Sequence, residues 1–371
     1  MMVKRNVLLN PGPATTTDSV KMAQVVPDIC PRETEFGDLM REVSEEILQI
    51  VHADPEKYAA VLFCGSGTLC MEACISSLLT AQGSVLVINN GSYSSRAVEI
   101  CQAFNLPHID YRLSFTEQPD LKEIEQILRD GIVDIVYITH QETGSGLLNP
   151  LREIGALAHK YGAIFVVDTT STLAMRPIDV EAENIDFCMA SAQKGIQAMT
   201  GLSYVIGNKE IIEESAIYPR RSYYANIYAQ YKSAAETGQM RFTPPVQAIY
   251  AAKQALKEYF AEGEQQKWQR HQKTMAAIHK GLKELGFKEL LPLEKQAGLV
   301  AAVIYPDDEN WDFTRIHDYC YERGFTIYPG KIERQGTFRL CALGAITEED
   351  IKDFFVVLKE ALEKTGVTVK Y

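Results

Sequence analysis

From residue 59 onward the apolar residues of this chain come in short runs. AAVLF (59–63), SVLVIN (84–89), HIDYRL (108–113), IVYITH (135–140), AIFVVD (163–168), IDFCMA (185–190) and SYVIG (203–207) are each the length of a strand. Apolar runs with little polar alternation belong to strands covered on both faces. Between them lie segments with helical spacing, such as DLKEIEQILRDG (120–131) and LREIGALAHKYG (151–162). Strands alternating with helices of about 10–15 residues predict an α/β fold whose mostly parallel, seven-stranded sheet lies between helices.

The pattern changes after RFTPPVQAIYAAKQALKEYF (241–260). A long helical stretch, roughly 245–285, leads to a second unit. There LVAAVIYP (299–306), FTIYPG (325–330) and TFRLCA (337–342) read as strands, and helices are expected near 312–323 and 347–364. The reading is a large domain over 15–255 and a smaller α+β C-terminal domain over 256–371, with 1–14 crossing between them. There are no internal repeats.

The balance of 37 Lys and Arg against 49 Asp and Glu gives a net charge of −12, which argues against nonspecific binding to nucleic acid or to an anionic membrane. An anionic ligand must then be held by local donors. The N-terminal stretch MMVKRNVLLNPGPATTT lacks a signal-like apolar core, so a cytoplasmic location is expected. The eight cysteines fall mostly inside apolar runs and the seven histidines are scattered, so no metal site is expected.

Sheets of this kind bind ligands outside the carboxyl ends of their strands. CGSGT (64–68), HQETGSG (140–146), VDTTST (167–172) and SAQKG (191–195) all fall there. Lys194 in SAQKG is a lone cation among small residues, and a buried ammonium is expensive unless paired or neutralised. Joining a carbonyl is one chemical solution; a solvated lysine is the bland alternative. Asp168 closes a run that should be buried on both faces and needs a partner, unless it caps the next helix. A lysine and a carboxylate at neighbouring strand ends suit a pyridoxal phosphate site, one on the aldehyde carbon and the other on the ring nitrogen. CGSGT precedes a helix, whose N-terminus can take a phosphate, although tight turns use the same residues. Tyr93 in NNGSYSSR could stack on a flat cofactor or simply pack.

In order, NPGP, GSGT, NGSY, HQETGSG, VVDTTST, SAQKG, RFTPP and FRL resemble class V aminotransferases of the pyridoxal phosphate type I fold, across almost the whole chain. Within that class LNPGPATTT, HQETGSGLLNP, SAQKGIQ, RFTPP and IYPGK followed by TFRL look closest to the 2-aminoethylphosphonate–pyruvate branch. The alternatives are the alanine–glyoxylate or serine–pyruvate branch and, further off, a cysteine desulfurase. The last needs a mobile thiol, whereas Cys320 sits in RIHDYCYERGF, which reads as a packed helix. It also places a histidine where Gln193 stands here.

The resemblance implies pyridoxal 5′-phosphate as cofactor, small amine and keto-acid substrates, and a homodimer. Lys194 would join the cofactor and shuttle a proton, and Asp168 would keep the ring nitrogen protonated. Tyr93 would stack on the ring, and Thr143 would contact its hydroxyl. Ser66, Gly67, Thr68 and Gln193 would hold the phosphate, with Thr243 reaching it from the neighbouring subunit. Arg339 would bind the substrate's acid group, its fork matching a carboxylate or a phosphonate. Arg32, in DICPRETEF (28–36), is a candidate second anion contact.

Overall fold

A computed structural model describes residues 4–330, 332 and 335–370. Strand Val7–Leu8 (β1) is followed by helices Asp18–Met22 (α1) and Thr34–Ile50 (α2). Alternation then begins with Tyr58–Cys64 (β2), Gly67–Ser77 (α3), Ser84–Asn89 (β3), Ser92–Ala103 (α4), His108–Arg112 (β4), Leu121–Asp130 (α5) and Val133–Thr139 (β5). The small hairpin Gln141–Glu142 (β6) and Leu147–Leu148 (β7) precedes Arg152–Lys160 (α6), Ile164–Asp168 (β8), Phe187–Ser191 (β9) and Leu202–Asn208 (β10). Helices Lys209–Glu214 (α7), Ile227–Thr237 (α8), Val246–Glu262 (α9) and Glu264–Glu284 (α10) come next. The chain closes with Val300–Ile304 (β11), Phe313–Glu322 (α11), Phe325–Thr326 (β12), Tyr328–Pro329 (β13), Thr337–Cys341 (β14) and Glu348–Thr365 (α12).

The main sheet has seven strands in the order β2-β10-β9-β8-β5-β3-β4. Strand β10 runs antiparallel to both neighbours and the other pairings are parallel. Its apolar runs are covered on both faces: Val85, Leu86, Val87 and Ile88 are all fully buried. One face packs on α2, α5, α6 and α9, the other on α3, α4 and α8. A third core joins Val7 and Leu9 to α10, α11, α12 and the C-terminal strands. Asp120 caps α5 by accepting from Lys122 N, whereas α12 opens with a reciprocal cap between Thr347 and Asp350.

Two expectations are corrected. The helical stretch 245–285 is two helices, because Gly263 adopts φ 83° and ψ 145°, a conformation outside any helix and open chiefly to glycine. The run FTIYPG is two strands in different sheets. Phe325 and Thr326 pair with Val7 and Leu8, while Tyr328 and Pro329 pair with Arg339 and Phe338. Pro329 has no N–H to donate, and it lies on β13, the edge of the three-stranded sheet β11-β14-β13. The lysine of IYPGK, Lys331, lies outside the described residues. No helix among the described residues is long and apolar enough to cross a membrane.

Candidate active site

Five segments meet at the carboxyl edge of the main sheet: the turns after β2, β5, β8 and β9, and residues 10–14. Asp168 ends β8 and is 3% exposed. One carboxylate oxygen accepts from Thr170 N at 2.9 Å. Burial raises its pKa above the ordinary carboxylate value, opposed by the bonds from Thr170 and by the charges of Lys194 and Arg96. A cationic ring nitrogen would supply what this carboxylate lacks.

Lys194 lies in the tight turn after β9, fixed by Lys194 N donating to Ser191 O (3.2 Å) and Gln197 N to Lys194 O (2.9 Å). Burial lowers the pKa of its amine, with the Arg339 charge acting the same way and Tyr93, Cys341 and Asp168 opposing. Arg339, Tyr93 and Asp168 therefore all act on one amine. The Nζ donates to Pro11 O, and Ala14 N donates to Gln193 O at 2.8 Å, so the NPGP segment covers the lysine. Gly12 has φ +123°, and a Cβ there would overlap the Lys194 side chain. Only glycine meets both demands.

Ser66 is the residue before α3, its side chain making no cap, and the helix begins at Gly67. A Cβ on Gly67 would come 3.2 Å from Thr170 Oγ1 and 3.6 Å from Ser191 Oγ. Ser191 Oγ and Gln193 Oε1 are buried without a hydrogen-bond partner, as are both amide atoms of Gln141. Buried polar atoms without partners are rare in a finished core. Ser191 Oγ lies by the N-terminus of α3, whose open N–H groups suit a phosphate. The chemistry of a phosphorylated pyridine aldehyde fits these residues: a helix N-terminus and an unpartnered hydroxyl for the anion, a buried carboxylate for a cationic ring nitrogen, and a buried amine for the carbonyl.

Tyr93 lies in the first turn of α4, and the Arg96 guanidinium sits 4.9 Å from its ring centroid. Arg96 Nη1 also donates to Thr68 Oγ1 at 3.1 Å. Arg96 was not foreseen, although its position one turn after Tyr93 in NGSYSSR was the available signal. Glu142, unassigned in HQETGSG, accepts from Tyr93 N (3.3 Å), Ser94 N (2.7 Å) and Ser94 Oγ (2.6 Å). Burial raises its carboxyl pKa against these three bonds. It fixes the start of α4 and with it Tyr93.

Arg339 is 1% exposed in the middle of β14. Its Nε donates to Pro329 O at 3.1 Å and its Nη1 to Thr143 O at 3.3 Å. Both acceptors are neutral carbonyls, so Thr143 meets the arginine through its backbone. Two of the expected residues stand apart within the single chain. Arg32 is exposed, and its Nη1 donates to Gln239 Oε1 (3.1 Å) and Met240 O (2.7 Å). Thr243 is exposed just before α9. Cys320, the thiol a desulfurase would need on a mobile loop, is fully buried on α11 and pushed up to about 12 by burial. Among the described residues no cluster of His, Cys, Asp or Glu could hold a metal ion.

Comparison with known proteins identifies the family. A 2-aminoethylphosphonate–pyruvate transaminase of Salmonella heidelberg is 33% identical over 369 residues, covering 97% of this chain and 99% of that protein. A bifunctional phosphonoacetaldehyde hydrolase/aminoethylphosphonate transaminase of Clostridioides difficile is 34% identical over 96% of this chain, which spans 56% of that longer protein. In fold the chain is similar to an alanine–glyoxylate aminotransferase from Nostoc sp., with a TM-score of 0.89 at 24% identity, covering 98% and 96% of the two chains. The profile of the family described as Aminotransferase class-V matches residues 20–331, and the chain belongs to that family.

Proposed function

We propose that this aminotransferase moves the amino group of 2-aminoethylphosphonate to pyruvate, giving phosphonoacetaldehyde and alanine, as a cytoplasmic homodimer. Family membership makes pyridoxal 5′-phosphate its cofactor. When bound, that group supplies an aldehyde to take up the amine and a ring that accepts an electron pair. The observation that carries the reading is Arg339, a fully buried guanidinium whose hydrogen-bond acceptors in the fold are neutral carbonyls and whose charge reaches the Lys194 amine. Such a group calls for an anion. The donor named for the relatives has no α-carboxylate, so its phosphonate must provide that anion, and pyruvate's carboxylate then takes the same place.

The remaining residues serve this exchange. Burial depresses the Lys194 amine, so its neutral form is available as nucleophile and as carrier of the proton removed beside the donor nitrogen. With the cofactor bound, Asp168 would serve the ring nitrogen, Tyr93 would stack on the ring and Thr143 would contact the ring hydroxyl. Ser66, Gly67, Thr68 and Gln193 would hold its phosphate, joined by Thr243 of the neighbouring subunit. Arg32 is the candidate for a second anion contact.

The test uses the purified full-length chain. Borohydride treatment followed by peptide mapping should place the cofactor on Lys194. A single-turnover screen with 2-aminoethylphosphonate, alanine, serine and cysteine should show the phosphonate as the fastest donor. Label on another lysine removes the assignment, and preference for alanine or serine with glyoxylate removes the substrate.

A further inference from the structure

The segment EQQKWQRHQK (264–273) at the start of α10 has the composition of a solvated helix, yet one face of it is turned into the fold. Lys267 is 3% exposed, and His271 and Thr274 are 1% exposed. Buried lysines are rare, and this one lacks a dedicated acidic partner. Glu262 is engaged by Arg270 at 2.6 and 2.9 Å, and Glu258 by Thr17, Ser19 and Gln254. Tyr259 offers its ring, 5.0 Å from Nζ.

What Lys267 does hold is the backbone next to Lys194. Its Nζ donates to Gly195 O at 2.7 Å. Gly195 is itself tightly packed, because a Cβ there would run into Leu173 O. The carbonyl thus accepts from Lys267 while its own residue leaves no room for a side chain against a neighbouring loop. Three residues on, on the same face of α10, Arg270 Nη1 donates to Gly344 O at 2.7 Å. Gly344 follows the strand of Arg339 and bridges to Thr15, beside the segment that covers Lys194. One rigid helix therefore grips the chain just after the lysine and just after the arginine.

We infer that Lys267 is a positioning residue, whose hydrogen bond to Gly195 sets the turn that presents Lys194, while Arg270 ties the Arg339 segment to the same helix. This rests on the reading of Lys194 as the amine that joins the cofactor. Burial lowers the pKa of Lys267 to about 7, helped by Arg270 and opposed by Glu262 and Glu258. That position is costly for stability alone, because a buried charge is often replaced by an apolar residue without loss.

The experiment separates positioning from packing. Wild type, Lys267→Met and Lys267→Gln are purified full-length, freed of cofactor, and mixed with pyridoxal phosphate. The rate of covalent capture on Lys194 is followed by absorbance and by borohydride trapping with peptide mapping, alongside a thermal midpoint. The methionine variant is expected to melt no lower than wild type at pH 7 and yet to capture the cofactor at least tenfold more slowly. Glutamine, which keeps an N–H donor, should fall between. Capture within twofold of wild type in a folded methionine variant overturns the inference. If methionine does not fold, the glutamine variant decides by the same criterion. If neither folds, the residue serves the core and the inference is wrong. Wild-type label on a lysine other than Lys194 removes the functional reading first, and this inference with it.

Discussion

Replacing Arg339 by lysine keeps the positive charge and removes the fork. Arginine presents five N–H groups in one plane; here one is held by Pro329 O and one by Thr143 O, leaving three for a ligand. An anion seated on that fork accepts two charge-assisted bonds, and a lysine in the same position replaces one of them at best. Each such bond is worth about 1.5–3 kcal/mol. At about 1.4 kcal/mol per factor of ten, losing one slows a step that depends on it roughly 10- to 150-fold. The same arginine is assigned to both substrates, so both half-reactions must weaken together. Stopped-flow single turnovers measure them separately: the loss of cofactor absorbance with 2-aminoethylphosphonate, and its return with pyruvate. Cofactor content should be unchanged, because Arg339 is not among the phosphate contacts. An Arg339→Lys enzyme impaired with pyruvate alone, its phosphonate step intact, would refute the shared clamp and move the phosphonate to Arg32 or another donor.

Asp168→Asn should keep the fold and reduce turnover by orders of magnitude, since the ring nitrogen loses the carboxylate that holds its proton; activity within about threefold of wild type sinks the pairing. Gly12→Ala should destabilise the fold by about 1–3 kcal/mol from backbone strain at φ +123° and also slow capture at Lys194, which its new Cβ would overlap. A wild-type urea midpoint together with wild-type capture speaks against that contact. Lys267 binds fewer protons folded than unfolded between its buried value of about 7 and its ordinary 10.5. The cost of its charge is therefore full below pH 7 and is relieved as pH rises, by at most ~1.4 kcal/mol per unit. Wild type should be least stable relative to Lys267→Met near pH 7 and regain ground toward pH 10; a constant difference across that range rejects the buried charge.

The strands, their order of appearance and the gathering of four polar turns at one edge were readable because apolar runs without alternation have few other uses. Lys194 and Asp168 stood out for the same reason, as charges at the ends of buried runs. The glycine contact at Lys194 was not readable, because it joins residue 12 to residue 194 through a backbone angle that leaves no mark on neighbouring letters. Lys267 was hidden by its company: seven of the other nine residues in EQQKWQRHQK are charged or amide side chains, and burial of one face depends on what α9 and the Gly344 turn bring against it. The partner switch inside FTIYPG was likewise set by a strand from the far end of the chain. The burial of Arg339 could not be inferred from TFRL, which alternates like any half-exposed strand.

The pairing of Val7 and Leu8 with Phe325 and Thr326, together with Leu9 O accepting from Cys341 N, has a consequence for how the protein is made. The cover of Lys194 leaves the ribosome more than three hundred residues before the strands that hold it. Elongation at about 5–20 residues per second places on the order of a quarter of a minute to a minute between them. During that interval the main sheet and its anion cradle can assemble with the lysine still uncovered. The nascent chain is thus open to its cofactor before its NPGP segment is pinned over the lysine.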